Sequence, residues 1–164
     1  MQVPTEEDIA GFMMRASKLE FAIVQRDCQR FARTARGDPT KVVGYDVEPV
    51  SEALEAAQPF SVGYANSKVF GFLAEHSPSW LVRVEGQLGW SARHDFSAAE
   101  QSWLQTLKNY AQLRNNVAHG NKMLPAAETG DRTEAFLGAA RNFQDEVARL
   151  LDLQGWNADI QFSQ

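Results

Sequence analysis

The period of the apolar residues is the tightest constraint on what this chain can fold into. Ile9, Phe12, Ala16, Leu19 and Ile23 follow one another at spacings of 3, 4, 3 and 4, and Phe136, Ala140, Phe143, Val147 and Leu150 at 4, 3, 4 and 3. Only an α-helix gathers such positions onto one face. The stripes are interrupted by polar residues, so they belong to helices with one wet side. Counting glycine, no apolar run exceeds six residues, 9–14 and 69–74 among them, whereas a bilayer span needs about 20. The chain is therefore expected to be all-α, with no membrane-spanning segment.

Punctuation residues divide the chain into elements. Thr5 caps a first helix with Glu6, Glu7 and Asp8 in its first turn, and the helix is expected to run to about residue 34, before Gly37-Asp38-Pro39. Residues 35–47 read as a loop, with an extended stretch over 41–47. Helices follow over 49–57 and 61–75, ending at Pro59 and at His76-Ser77-Pro78. Residues 79–96 read as a short helix or an irregular loop, Gly86 and Gly89 weighing against the helix. Ser97-Ala98-Ala99-Glu100 is a capping-box pattern, so a helix begins there; it carries Trp103, Leu104, Leu107, Tyr110 and Val117 and stops at Gly120-Asn121. After a loop over 121–130, Asp131 and Glu134 open the last helix. Four to five helices joined mostly by short connections suggest an up-and-down bundle, one domain over residues 1–164.

Composition removes several function classes. With 44% apolar and 23% charged residues this is an ordinary globular chain. Its net charge of −5 argues against a protein that coats nucleic acid nonspecifically, although residues 1–41 and 83–122 are mildly basic within the acidic whole. The single Cys28 cannot form an internal disulfide, and the acidic start MQVPTEED lacks a secretory h-region, so a reducing cytoplasm is expected. One Cys and three scattered His offer no metal-ligand pairs at a usual spacing. No P-loop, Gly-rich dinucleotide turn or nucleophile elbow occurs. No metal and no cofactor are expected.

One residue breaks the helical pattern. On an ideal wheel with Trp103 at 0°, the apolar residues of 103–119 fall within an arc from roughly 280° through 0° to 100°, and Arg114 falls at about 20°, near its middle. A guanidinium on a packing face needs a carboxylate partner, a wet site or a subunit interface. Glu20 and Asp27, near the stripe of the first helix, are the carboxylates within reach. His119 lies at about 160°, on one flank with Asn115 and Lys108. Arg114 and His119, five apart, are not aimed at one point by an ideal helix. A helix ending at Gly120, or a facing second protomer, would bring them together. A cation, an amide and a titratable base at a helix end suit a phosphodiester, one group moving protons while the others hold charge.

The stretch Leu113-Arg114-Asn115-Asn116-Val117-Ala118-His119-Gly120 resembles the Arg-x4-His signature of the HEPN superfamily (higher eukaryotes and prokaryotes nucleotide-binding). The likeness covers about ten residues, and Asn121 stands where a toxin subgroup shows Tyr. The resemblance implies a homodimeric helical bundle whose two motifs face each other, acting as a metal-independent endoribonuclease in toxin–antitoxin or phage-defence systems. On that reading His119 handles the 2′-hydroxyl or leaving-group proton, Arg114 holds the scissile phosphate, and Asn115 orients the site, with Asn116, Glu20, Lys108 and Lys122 in support. The products would be a 2′,3′-cyclic phosphate and a 5′-hydroxyl. Implied partners are RNA as substrate, a second copy of the chain, and an antitoxin or regulatory protein. The alternative is the same module binding RNA, a nucleotide or a protein without cutting.

Other signals admit plainer readings. Arg26, Arg30, Arg33 and Arg36 would track an RNA backbone or simply form a solvated helix face. His94 joins the site or lies on the surface, and His76 reads as a helix-end residue. Cys28 reads as a small buried hydrophobe, and Trp80, Trp90, Trp103 and Trp156 as core or interface anchors.

Overall fold

Thr5 opens the first helix as its sequence predicts. Its hydroxyl accepts from the Asp8 N–H at 3.1 Å while the Asp8 carboxylate accepts from the Thr5 N–H at 2.9 Å, closing a reciprocal capping box. The computed structural model describes residues 4–92, 94–119 and 130–156, without the side chains of 130, 131 and 133. Helix α1 (Glu6–Arg26) buries the five predicted stripe residues, Ile9 to Ile23.

It ends eight residues earlier than expected. Asp27 leaves helical geometry (φ −154°, ψ 83°), and its carboxylate accepts from the Arg30 N–H, restarting the chain as the single turn α2 (Cys28–Phe31). A short acidic side chain that bonds its own backbone competes with helix continuation. Phe31 then plugs into the core, and β1 (Ala32–Ala35) pairs antiparallel with β2 (Asp38–Tyr45) through a turn at Gly37, whose φ is +84°. Helix α3 (Val47–Ala57) follows.

The helix expected over 61–75 is two helices, α4 (Val62–Ser67) and α5 (Gly71–Glu75). Between them Val69 takes a left-handed φ of 62°, and the following Phe70 is fully buried. Gly71 is required by close approach: a Cβ there would stand 2.0 Å from Asn66 Oδ1. Residues 79–96 hold a second antiparallel hairpin, β3 (Leu81–Val84) with β4 (Gln87–Trp90). Glu85 and Gly86 turn it with φ of 52° and 78°, the positive pair that two-residue hairpin turns demand.

Ser97 and Glu100 do bond, the Ser97 N–H donating to Glu100 Oε2 at 3.1 Å, but they make only a turn. The helix α6 (Trp103–Ala118) starts later, with Ser102 in extended geometry capping the Gln105 N–H at 3.0 Å. Helix α7 (Gly130–Leu150) closes the fold. The expected Gly120-Asn121 stop and the loop over 121–129 lie outside the described residues, as does the side chain of Asp131 offered as a cap.

These elements overturn the expectation of an all-α up-and-down bundle of four to five helices. The chain is mixed α/β: among the described residues two antiparallel hairpins interrupt seven helices, three of which have six residues or fewer. The long helices α1, α6 and α7 enclose the core. Phe70, Trp103, Tyr110, Phe136 and Phe143 are its large fully buried rings, several in edge-to-face contact. The Trp103 indole N–H donates to the Gln58 carbonyl at 2.7 Å. No described helix is long and apolar enough to cross a membrane.

Candidate functional site

Arg114 occupies the packing side of α6 between the buried Leu113 and Val117, and its position is resolved by pairing. Its Nη2 donates to Glu20 Oε2 on α1 at 3.2 Å, with the two side chains 32% and 27% exposed. Half-buried ion pairs of this kind gain from reduced screening while water still relieves part of the desolvation cost. The Nε of Arg114 is buried and bonds nothing. Asp27, the other carboxylate considered, is committed to capping α2.

Two phenols flank the pair. Burial drives the Tyr45 hydroxyl far above its ordinary pKa; Tyr110 and Glu20 add to the shift while Arg114 and Arg33 oppose it. Burial likewise raises Tyr110, against a hydrogen bond from Gln144. Both hydroxyls are therefore held neutral, and that of Tyr110 accepts from Gln144 Nε2 at 2.9 Å. Arg33 lies across the β1–β2 pair, its Nη2 3.5 Å from where a Gly44 Cβ would be.

His119 sits elsewhere. It is the C-cap of α6, its N–H bonding the Asn115 carbonyl at 2.9 Å and its side chain exposed. Asn115 and Lys108 are exposed as well, so the flank predicted from the wheel is present. No hydrogen bond or ion pair joins Arg114 to His119 within the chain. Asn116 faces inward: it is 1% exposed, its Nδ2 donates to the Ser79 carbonyl at 2.7 Å, and its Oδ1 accepts from Gln112 at 2.7 Å. It braces the chain entering the β3–β4 hairpin and is not available to a substrate. Lys122 lies outside the described residues.

The four arginines offered as one face are dispersed, because α1 ends at Arg26. That residue donates to the Leu151 carbonyl, Arg30 stacks on Phe31 and pairs with Glu52 at 3.6 Å, Arg33 is on β1, and Arg36 is in the turn. Cys28 is exposed, not buried.

Two polar arrangements escaped the sequence reading. The His76 ring bonds Asp95 through Nδ1 at 2.6 Å, packs tilted against Phe72 and lies 3.7 Å from Glu75. With the Ser77–His94 and Phe96–Glu75 backbone bonds it ties together the two legs of the hairpin. In the core, Arg15 Nε donates to Gln144 Oε1 at 3.1 Å and Gln144 Nε2 donates to the Tyr110 hydroxyl at 2.9 Å. This chain of bonds runs from the surface of α1 to the ring one turn before Arg114. Its signal in the sequence was Gln144 itself, a polar residue directly after Phe143 and one turn past Ala140 of the apolar stripe.

Among the described residues no cluster of His, Cys, Asp and Glu is arranged to hold a metal ion. No known family model matches the chain, and no curated protein or solved structure is similar to it.

Proposed function

We propose that the protein is an endoribonuclease of the HEPN type, cutting RNA by attack of the 2′-hydroxyl on the adjacent phosphate and acting as a homodimer in toxin or defence chemistry. His119 moves the proton, Arg114 holds the phosphate and its developing charge, and Asn115 orients the two. The observation that carries this reading is the state of Arg114: a guanidinium on the packing side of α6, paired through Nη2 to Glu20 and still 32% exposed. A cation kept at the edge of a core with donor capacity to spare suits an anionic ligand that arrives later. His119, exposed at a helix end next to exposed Asn115, has the access to solvent that a proton-transfer group requires.

The test is cleavage of a fluorescent RNA in EDTA by wild type and by His119→Ala, with product ends analysed. Cutting to a 2′,3′-cyclic phosphate that disappears in the variant supports the assignment; equal cutting by both removes His119 from it.

A second reading has its own support. Arg114 and His119 are not joined within a protomer, and the Glu20 carboxylate already occupies part of the guanidinium. That arrangement fits a module that binds RNA or a nucleotide without cutting. Retention of labelled RNA without cleavage, weakened by Arg114→Ala but not by His119→Ala, would favour it.

A further inference from the structure

Helices α1 and α7 lie side by side and run in the same direction, since Arg15 meets Gln144 and Asp145 while Arg26, further along, meets Leu151. Toward their N-terminal ends they enclose an open cavity of about 800 Å³, a volume in the range of occupied binding sites. Phe12 and Leu137 give it apolar walls, and Met14 stands at its edge 51% exposed.

The charges along it are sorted. Glu7 and Glu134 line the end nearest the helix starts, Arg15 and Arg141 line the other, and Gly11 and Gly138 fall between. Both walls thus read Glu, Gly, Arg in chain order. A Cβ added to either glycine would meet nothing within 4 Å, and neither has a positive φ. Local packing and backbone geometry leave room for alanine at both places, although glycine is the poorer helix former. Because both glycines line the cavity, a larger side chain there would narrow it.

We propose that the cavity seats an amphipathic helix of a partner protein, lying antiparallel to α1 and α7. The lining stretch from Glu7 to Arg15 is about 12 Å long at the helical rise, enough for the i, i+3, i+4, i+7 face of one helix. Charge sets the direction. Helices ordinarily carry acids in the first turn and bases in the last. Laid antiparallel, such a helix brings its bases to Glu7 and Glu134 and its acids to Arg15 and Arg141, with its dipole opposed to both walls. Laid parallel, it meets like charge at each end. Arg15 is also held by Gln144 and Asp145, which leaves exposed Arg141 as the principal contact for the acids.

The probe is a fluorescein-labelled 14-residue peptide with Glu in its first turn, a Leu/Met stripe at helical spacing and Lys in its last turn. Its control has the same composition with the Glu and Lys turns exchanged. Anisotropy with the full chain is expected to show saturable binding of the first peptide and at least fivefold weaker binding of the control. Gly138→Leu, and independently Gly11→Leu, should weaken the first peptide at least tenfold while circular dichroism stays unchanged. Arg141→Glu should reduce the preference between the two peptides. Absence of saturable binding, equal affinity for both peptides, or indifference to the glycine variants overturns the proposal. So does self-association of the chain that Gly138→Leu abolishes, because the occupant would then be a second copy.

Discussion

Arg114 and Asn116, two residues apart, show how one helix separates a half-exposed ion pair from a buried brace. Asn116 satisfies a loop carbonyl and is itself satisfied by Gln112. Replacing it by leucine strands the Ser79 carbonyl and should cost about 1–3 kcal/mol, read as a lower denaturation midpoint at unchanged slope. His119 is the opposite case. An exposed C-cap side chain contributes little to folding, so His119→Ala is expected to shift stability by no more than about 0.5 kcal/mol in thermal unfolding while removing RNA cleavage. Arg114 was conspicuous from the wheel alone because a charge amid an apolar arc is a conflict that needs resolving. Glu20, named as a partner, is where the resolution lies. The His76–Asp95 contact was not legible, because its members are nineteen residues apart and only the hairpin between them makes them neighbours.

At the scale of elements, what the apolar period could reveal depended on length. The stripes of α1, α6 and α7 were readable because three or more turns repeat them. The short helices and the hairpins were decided by single backbone events that periodicity does not register: Asp27 capping its own exit, Val69 in a left-handed conformation, Glu85-Gly86 turning a hairpin. Ser102-x-x-Gln105 was a competing capping pattern five residues after Ser97, and the extended geometry of Ser102 settles which serine starts α6. Two further outcomes belong here. Gly11→Ala and Gly138→Ala should each stabilise the fold by about 0.5–1 kcal/mol, since the added methyl meets open space in helical geometry; chemical denaturation measures it. Among the described elements the β3–β4 hairpin makes its main contacts within itself, and two-stranded hairpins are marginal alone. Amide exchange over 81–90 should therefore be much faster than across α6.

For the whole molecule, acid is the condition to which the tertiary ties are most exposed. Burial works against ionisation of Glu146, but its polar neighbours, Arg149 first and then Tyr64 and Lys68, outweigh it and hold the carboxyl below its usual value of 4.5. Asp95 is likewise held below its usual 3.8, chiefly by His76. A carboxyl depressed in the folded state stabilises above its unfolded pKa and loses that contribution as pH falls through its folded value. Stability should decline as pH drops below about 4.5, and the decline should be shallower in Glu146→Gln, which starts from a lower stability at neutral pH. A pH series of denaturation midpoints for wild type and variant decides this.

The bond chain from Arg15 through Gln144 to Tyr110 carries a polarity fixed at the surface. An arginine can only donate, so its bond to Gln144 Oε1 dictates which way the buried amide faces. The amide nitrogen must then point at the Tyr110 oxygen, and that phenol's own proton is left to serve another acceptor. One solvent-side cation thereby assigns donor and acceptor roles across two helices to a ring that is 2% exposed. Exchanging Arg15 for a side chain that accepts would let the amide reverse, and the core would register a surface substitution as an inversion of hydrogen-bond sense with hardly any displacement of atoms.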